Sequence, residues 1–88
     1  MVEVEYSPKF ARMYAKLPRR TKSAAEEKEE IFRQDPFDSR LRTHKLGGRL
    51  KKHWAFSIDH RYRIVFSFAG GGLVRFHTVG THDIYNLP

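Results

Sequence analysis

The order of apolar and polar positions predicts two helices and four strands. Val2, Val4 and Tyr6 alternate with Glu3 and Glu5, the period of a half-buried strand. Ser7-Pro8 follows as an N-cap and a first helical residue. Phe10, Met13, Tyr14 and Leu17 then recur at i, i+3, i+4 and i+7, one apolar stripe of a helix that Pro18 closes. A second helix is expected from about Arg19 to Gln34, with Leu17 or Thr21, then Ala24, Ala25, Lys28, Ile31 and Phe32 on its inner stripe and Glu29→Arg33 as a favourable i, i+4 pair. Asp35-Pro36 ends it, and residues 36–50, with Gly47-Gly48, read as a loop.

Three strand signals follow. Trp54, Phe56 and Ile58 alternate with Ala55, Ser57 and Asp59, and Tyr62, Ile64, Phe66 and Phe68 alternate with Arg63, Val65 and Ser67. Leu73 to Val79 is the third. The turns between them are short, at Asp59-His60 and at Gly70-Gly71-Gly72. The order β-α-α-β-β-β makes an α+β fold, a helix hairpin packed on a mostly antiparallel, twisted sheet. By the period of two, Trp54, Phe56, Tyr62, Ile64, Phe66 and Phe68 should meet the helices, leaving Arg63, Val65 and Ser67 on an open face. An arginine centred in a strand is either packed over the sheet with its head in water or functional.

The chain has 88 residues, enough for a single domain spanning 1–88 with one small core. Seven Phe, four Tyr and one Trp help to fill that core. With no cysteine there is no disulfide and no thiolate metal site, which fits a reducing, cytoplasmic setting. The start of the chain, Met1-Val2-Glu3-Val4-Glu5, has neither the charged nor the apolar region of a signal peptide, and no apolar run approaches the ~20 residues that span a bilayer. No membrane association is expected.

The net charge of +7 is concentrated in one block. Residues 40–63 carry Arg40, Arg42, Lys45, Arg49, Lys51, Lys52, Arg61 and Arg63 against Asp59 alone, so the rest of the chain sums to zero. Such a block is the footprint of a polyanion, either nucleic acid or an acidic protein segment. The Glu26, Glu27, Glu29, Glu30 cluster reads instead as the solvated face of the second helix. His77 and His82 have neither a cysteine nor an HExxH partner at zinc-binding spacing, so no metal or other cofactor is expected.

The segments His44-Lys45-Leu46-Gly47-Gly48-Arg49-Leu50-Lys51, Trp54-Ala55-Phe56-Ser57-Ile58, Tyr62-Arg63-Ile64-Val65-Phe66 and Val79-Gly80-Thr81-His82-Asp83 together resemble the RelE/ParE toxin superfamily, closest to its YafQ- and YoeB-like ribonuclease branches. The resemblance implies the fold derived above. It also implies the toxin of a toxin–antitoxin pair, a metal-independent endoribonuclease that cuts mRNA, on the ribosome, through attack by the RNA's own 2′-OH. An acidic cognate antitoxin would be its partner.

That chemistry needs a base, an acid and a cation on the phosphate. Histidine suits proton transfer near neutral pH, and the planar arginine fork suits phosphate. The resemblance points to His44 and His82 for proton transfer, with the roles interchangeable, and to Arg63 as the clamp on the scissile phosphate. Tyr85 is a candidate for base stacking, although it lies three rather than four residues after His82, and Asp83 for orienting His82. Lys45, Arg49, Lys51, Lys52 and Arg61 read as contacts to the RNA backbone. Ser57 and Arg61 stand where some YafQ-like members carry an Asp and a further His, so those roles do not transfer. His53, His60 and His77 read as structural or surface residues. A gyrase inhibitor of the ParE kind, or a non-catalytic module that binds RNA or an antitoxin, is the alternative.

Overall fold

A computed structural model describes residues 1–81 and Ile84. The elements run β1 (Glu3–Tyr6), α1 (Pro8–Ala15), α2 (Arg19–Gln34), β2 (His44–Lys45), β3 (Trp54–Ser57), β4 (Arg63–Gly70) and β5 (Leu73–Gly80), with single 3-10 turns at Ser39–Leu41 and Gly48–Leu50. The five strands form one sheet in the order β1-β5-β4-β3-β2. The pairs β2–β3, β3–β4 and β4–β5 are antiparallel, and β1 joins β5 in parallel. This is the α+β architecture, a helix hairpin on a mostly antiparallel sheet, that the residue pattern predicts.

Ser7 explains how the chain turns from β1 into α1. Its hydroxyl oxygen accepts from the Phe10 amide at 3.0 Å, satisfying a free donor of the first helical turn. The same hydroxyl donates to the His77 carbonyl at 2.9 Å, fastening the helix start to β5. The inner stripe of α2 is as expected, with Thr21, Ala25 and Phe32 buried. Phe32 is the centre of the core: its ring stacks on Phe56 at 4.8 Å and meets Phe66 and Phe76 edge-on at 4.9 and 5.3 Å. Phe10 on α1 adds an edge contact to Phe76 at 5.4 Å.

The structure departs from the expected pattern in three places. Residues 36–50 are not all loop, because His44 and Lys45 pair with Ala55 and Trp54 as the edge strand β2. Two residues carry no periodicity, so only their partner strand reveals them. Phe68 lies at the rim rather than in the core, while Trp54 packs half-buried against that core. They pack with Phe37, from the segment after α2, at 5.3 to 5.9 Å, and Phe68 stays exposed. Tyr62 precedes β4 rather than joining it.

The third departure is a β-bulge in β5. Val65 pairs with Thr78 but Phe66 with Phe76, so His77 is an extra residue without a partner on β4. A bulge re-aims side chains and sharpens the local twist. Here Thr78 and Val79 are both buried, breaking the alternation that holds from Leu73 to His77.

Candidate active site

Cross-strand pairing decides which side chains share the face away from the helices. His44, Ala55, Val65 and Thr78 form one row across β2, β3, β4 and β5, and Ser57, Arg63 and Gly80 form the next. The face is less open than alternation suggests: Ala55 and Val65 are buried, and Leu50 and Ile84 line a groove together with Val65.

At the Arg63 end lies a cleft of about 490 Å³, lined by Lys28, Arg40, Arg42, His44, Ser57, Ile58, Asp59, His60 and Arg63. Four cationic side chains face one carboxylate there, and that carboxylate is committed. Asp59 Oδ1 accepts from the amides of Arg61 and Tyr62, both at 2.8 Å, and so builds the β3–β4 turn. Arg40 is held by Asp38 in a two-pronged contact, which lowers the Asp38 carboxyl to about 2. Among the described residues no ion pair engages Lys28, Arg42 or Arg63.

His44 is exposed, and its Nδ1 lies 3.1 Å from the Arg42 carbonyl oxygen. A carbonyl only accepts, so in the neutral ring Nδ1 carries the proton and Nε2 keeps its lone pair. Arg42 can present that carbonyl because its backbone is left-handed (φ 52°, ψ 41°), in the turn after Ser39–Leu41. A non-glycine residue in this region costs about 1–2 kcal/mol, the kind of local strain that gathers at functional sites. Arg63 is half-buried, and its Nη1 is buried with no hydrogen-bond partner among the described residues. Arg63 also lines the cleft, where the accessible part of a planar guanidinium can meet an oxyanion.

The cleft therefore brings together His44 and Arg63, and adds His60, Arg42 and Lys28, which sequence reasoning passed over. His82, Asp83 and Tyr85 lie outside the described residues. Gly80, paired with Arg63, is two positions before His82 in the sequence.

The remaining basic residues stand elsewhere. Lys45 extends its ammonium over the Trp54 ring, 6.0 Å from the centroid, on the side of β2 opposite His44. Arg61 lies against Tyr62. Arg49, Lys51 and Lys52 are exposed around the Gly48–Leu50 turn, beside the second groove. Among the described residues, no three His, Asp or Glu side chains gather as they would around a metal ion. Nor is any described helix long and apolar enough to cross a membrane.

That second groove, about 310 Å³, lies on the same face toward the bulge. There the rings of His53 and His77 meet edge-on at 4.8 Å, and Ser67 Oγ is 2.7 Å from His77 Nε2. Burial, then the neighbouring His53 and Arg75, push the His77 pKa below its usual 6.5. His53 Nδ1 is buried without a partner among the described residues.

No family model matches the sequence, and no curated protein does. Solved structures do. YafQ from E. coli strain BL21(DE3) superposes with a TM-score of 0.78 at 17% identity, covering 97% of this chain and 98% of that one. The YoeB/ParE toxin from Agrobacterium tumefaciens gives 0.78 at 15% identity over 92% and 99%. The YoeB–YefM complex from Staphylococcus aureus gives 0.75 at 14% over 93% and 98%. The chain thus has the fold of the YafQ and YoeB/ParE toxins over nearly its whole length.

Proposed function

We propose that this chain is the toxin of a toxin–antitoxin pair and a metal-independent endoribonuclease acting on mRNA. The observation that carries this reading is the cleft in which His44, its tautomer set by the Arg42 carbonyl, stands with an Arg63 guanidinium that no ion pair engages among the described residues. His44 Nε2 takes the proton from a ribose 2′-OH. The 2′-oxygen attacks the adjacent phosphorus, the bond to the 5′-oxygen breaks, and a 2′,3′-cyclic phosphate and a 5′-hydroxyl result. Arg63 neutralises the charge that accumulates on the phosphoryl oxygens. His82 returns a proton to the leaving 5′-oxygen, with Asp83 orienting it and Tyr85 stacking on a neighbouring base. The two histidines exchange roles in the reverse step.

Several of the structures with this fold are toxin–antitoxin complexes, and the lone-acid character of the basic cleft suits an acidic antitoxin segment that folds on binding. Ribosome dependence follows the same reading: the ribosome presents the message as an ordered single strand.

The experiment is induction of the wild type and of a His44→Ala/His82→Ala variant in cells, with mRNA 5′ ends mapped on translated and untranslated transcripts. Cuts confined to translated messages and absent in the variant are expected. Cuts on both transcripts would remove the ribosome from the proposal. Growth arrest without cuts would turn the reading toward gyrase, and neither arrest nor cuts toward a binding module.

A further inference from the structure

The groove around His53 and His77 is not accounted for by the chemistry at Arg63. Its walls are apolar, from Leu50, Val65 and Ile84, and Lys9 and Arg75 stand among its lining residues. The two imidazoles of His53 and His77 meet within it, and no acidic side chain among the described residues lines it. With its pKa pushed down by burial, His53 and Arg75, His77 is neutral at neutral pH, which suits the edge of a base better than a phosphate. The buried Nδ1 of His53 has no partner among the described residues, and a buried polar atom left so is rare.

Position adds to this. Ser67, which holds His77, is four residues along β4 from Arg63, about 13 Å at strand spacing. The near wall of the groove, Val65, is two residues from Arg63, about 7 Å, so the groove runs from beside the reacting phosphate to within reach of the neighbouring nucleotide. Apolar walls, ring edges and a cationic lining residue are what single-stranded nucleic acid requires of a base seat.

We propose that this groove seats one nucleobase of the RNA flanking the cut, with His53 and His77 reading its edge. The inference rests on the ribonuclease reading and deepens it: the pair sets which sequence is cut, while His44 and Arg63 set whether it is cut. Neither His53 nor His77 belongs to the reacting centre, and the alternation that buries Val74 and Phe76 puts His77 on this face.

The test uses short RNA made uncleavable by 2′-O-methylation, intact and with single abasic positions, titrated into the wild-type protein. Imidazole resonances of His44, His53 and His77 are followed by NMR, and affinities by fluorescence. The His53 and His77 resonances are expected to shift on saturation. One abasic position should weaken binding about tenfold or more. A His53→Ala/His77→Ala variant should lose the same factor with intact RNA and nothing further with that abasic RNA. The same variant should cut at a changed set of sites.

If His44 shifts while His53 and His77 do not, the base-seat proposal falls and the ribonuclease reading stands. If no histidine responds to RNA and the wild type cuts none, both fall. If the His53 and His77 signals answer only to a bound antitoxin, the groove belongs to the protein partner and the proposal is overturned. Because the NMR readout uses the wild type, a folding defect in the double variant cannot mask the result.

Discussion

One sheet face carries two histidine sites built by opposite means. At the cleft, His44 is exposed on a two-residue edge strand, oriented by a carbonyl from strained backbone and surrounded by cations. At the groove, His53 and His77 are half-buried, packed against each other and tied to the central strand through Ser67. The first arrangement offers a lone pair and positive charge to something that arrives. The second keeps a ring neutral and rigid. The same residue type serves proton transfer in one place and shape or edge recognition in the other, and the environment makes the difference.

Four changes would break or sharpen this contrast. Removing Arg63 from the cleft should have the largest effect: Arg63→Ala is expected to lower cleavage about 10²–10³-fold, the usual cost of one electrostatic stabiliser of the transition state. Thermal unfolding should remain cooperative, and a rate within threefold of wild type would remove Arg63 from the chemistry. His44→Ala should cost a comparable factor.

Next is Gly80→Ala. A Cβ there would lie 2.6 Å from Ile84 Cγ2, so Ile84 must move. We expect a loss of about 1–3 kcal/mol in denaturant unfolding, with reduced cleavage, since Gly80 is also the partner of Arg63 in β4. Unchanged stability and activity would show that this contact yields without cost.

The third change is acid. His77 has a folded pKa below its usual 6.5, so the unfolded chain binds its proton first as pH falls. Its contribution is fully present above about pH 6.5 and is lost as pH drops through the lower folded value. Stability measured from pH 8 to 5 should therefore fall in that window, and His77→Asn should flatten the fall. An identical slope in the variant would assign the acid sensitivity elsewhere.

The smallest effect concerns Arg42. Glycine tolerates the left-handed backbone, so Arg42→Gly should raise stability by up to about 1 kcal/mol in the same denaturant assay. It removes a cation from the cleft at the same time, so cleavage should become less efficient, and more so at raised salt. A destabilised variant would mean that the arginine side chain contributes more than its backbone costs.

Much of the frame was legible in the sequence because it rests on local periodicity. The stripes of α1 and α2, the Ser7-Pro8 start and the alternation in β3 and β4 each need only a few neighbouring residues. Arg63 stood out because a charged residue centred in an alternating strand must face away from its apolar neighbours. What stayed hidden depends on distant partners. β2 exists only because Ala55 and Trp54 receive it. The left-handed turn at Arg42 has no glycine or asparagine to announce it. His53 and His77 meet only across three strands, although the break in alternation at Thr78-Val79 was a visible sign of the bulge. Lys28 and His60 join the cleft from α2 and the β3–β4 turn, which no spacing along the chain connects.

The parallel pairing of β1 with β5 has a consequence in time as well as in space. Glu3 lies opposite Leu73, so the sheet joins segments far apart in sequence, and β5 sits between β1 and β4. Such non-local pairings form slowly and late, after the loop entropy between them has been overcome. A nascent chain that ends before Leu73 has no strand to receive β1, no partner for Arg63 across β4–β5 and no His77. The groove around His53 and His77 thus comes into being only when β5 has been synthesised and docked, so the ribosome that makes this chain works beside an incomplete groove until then.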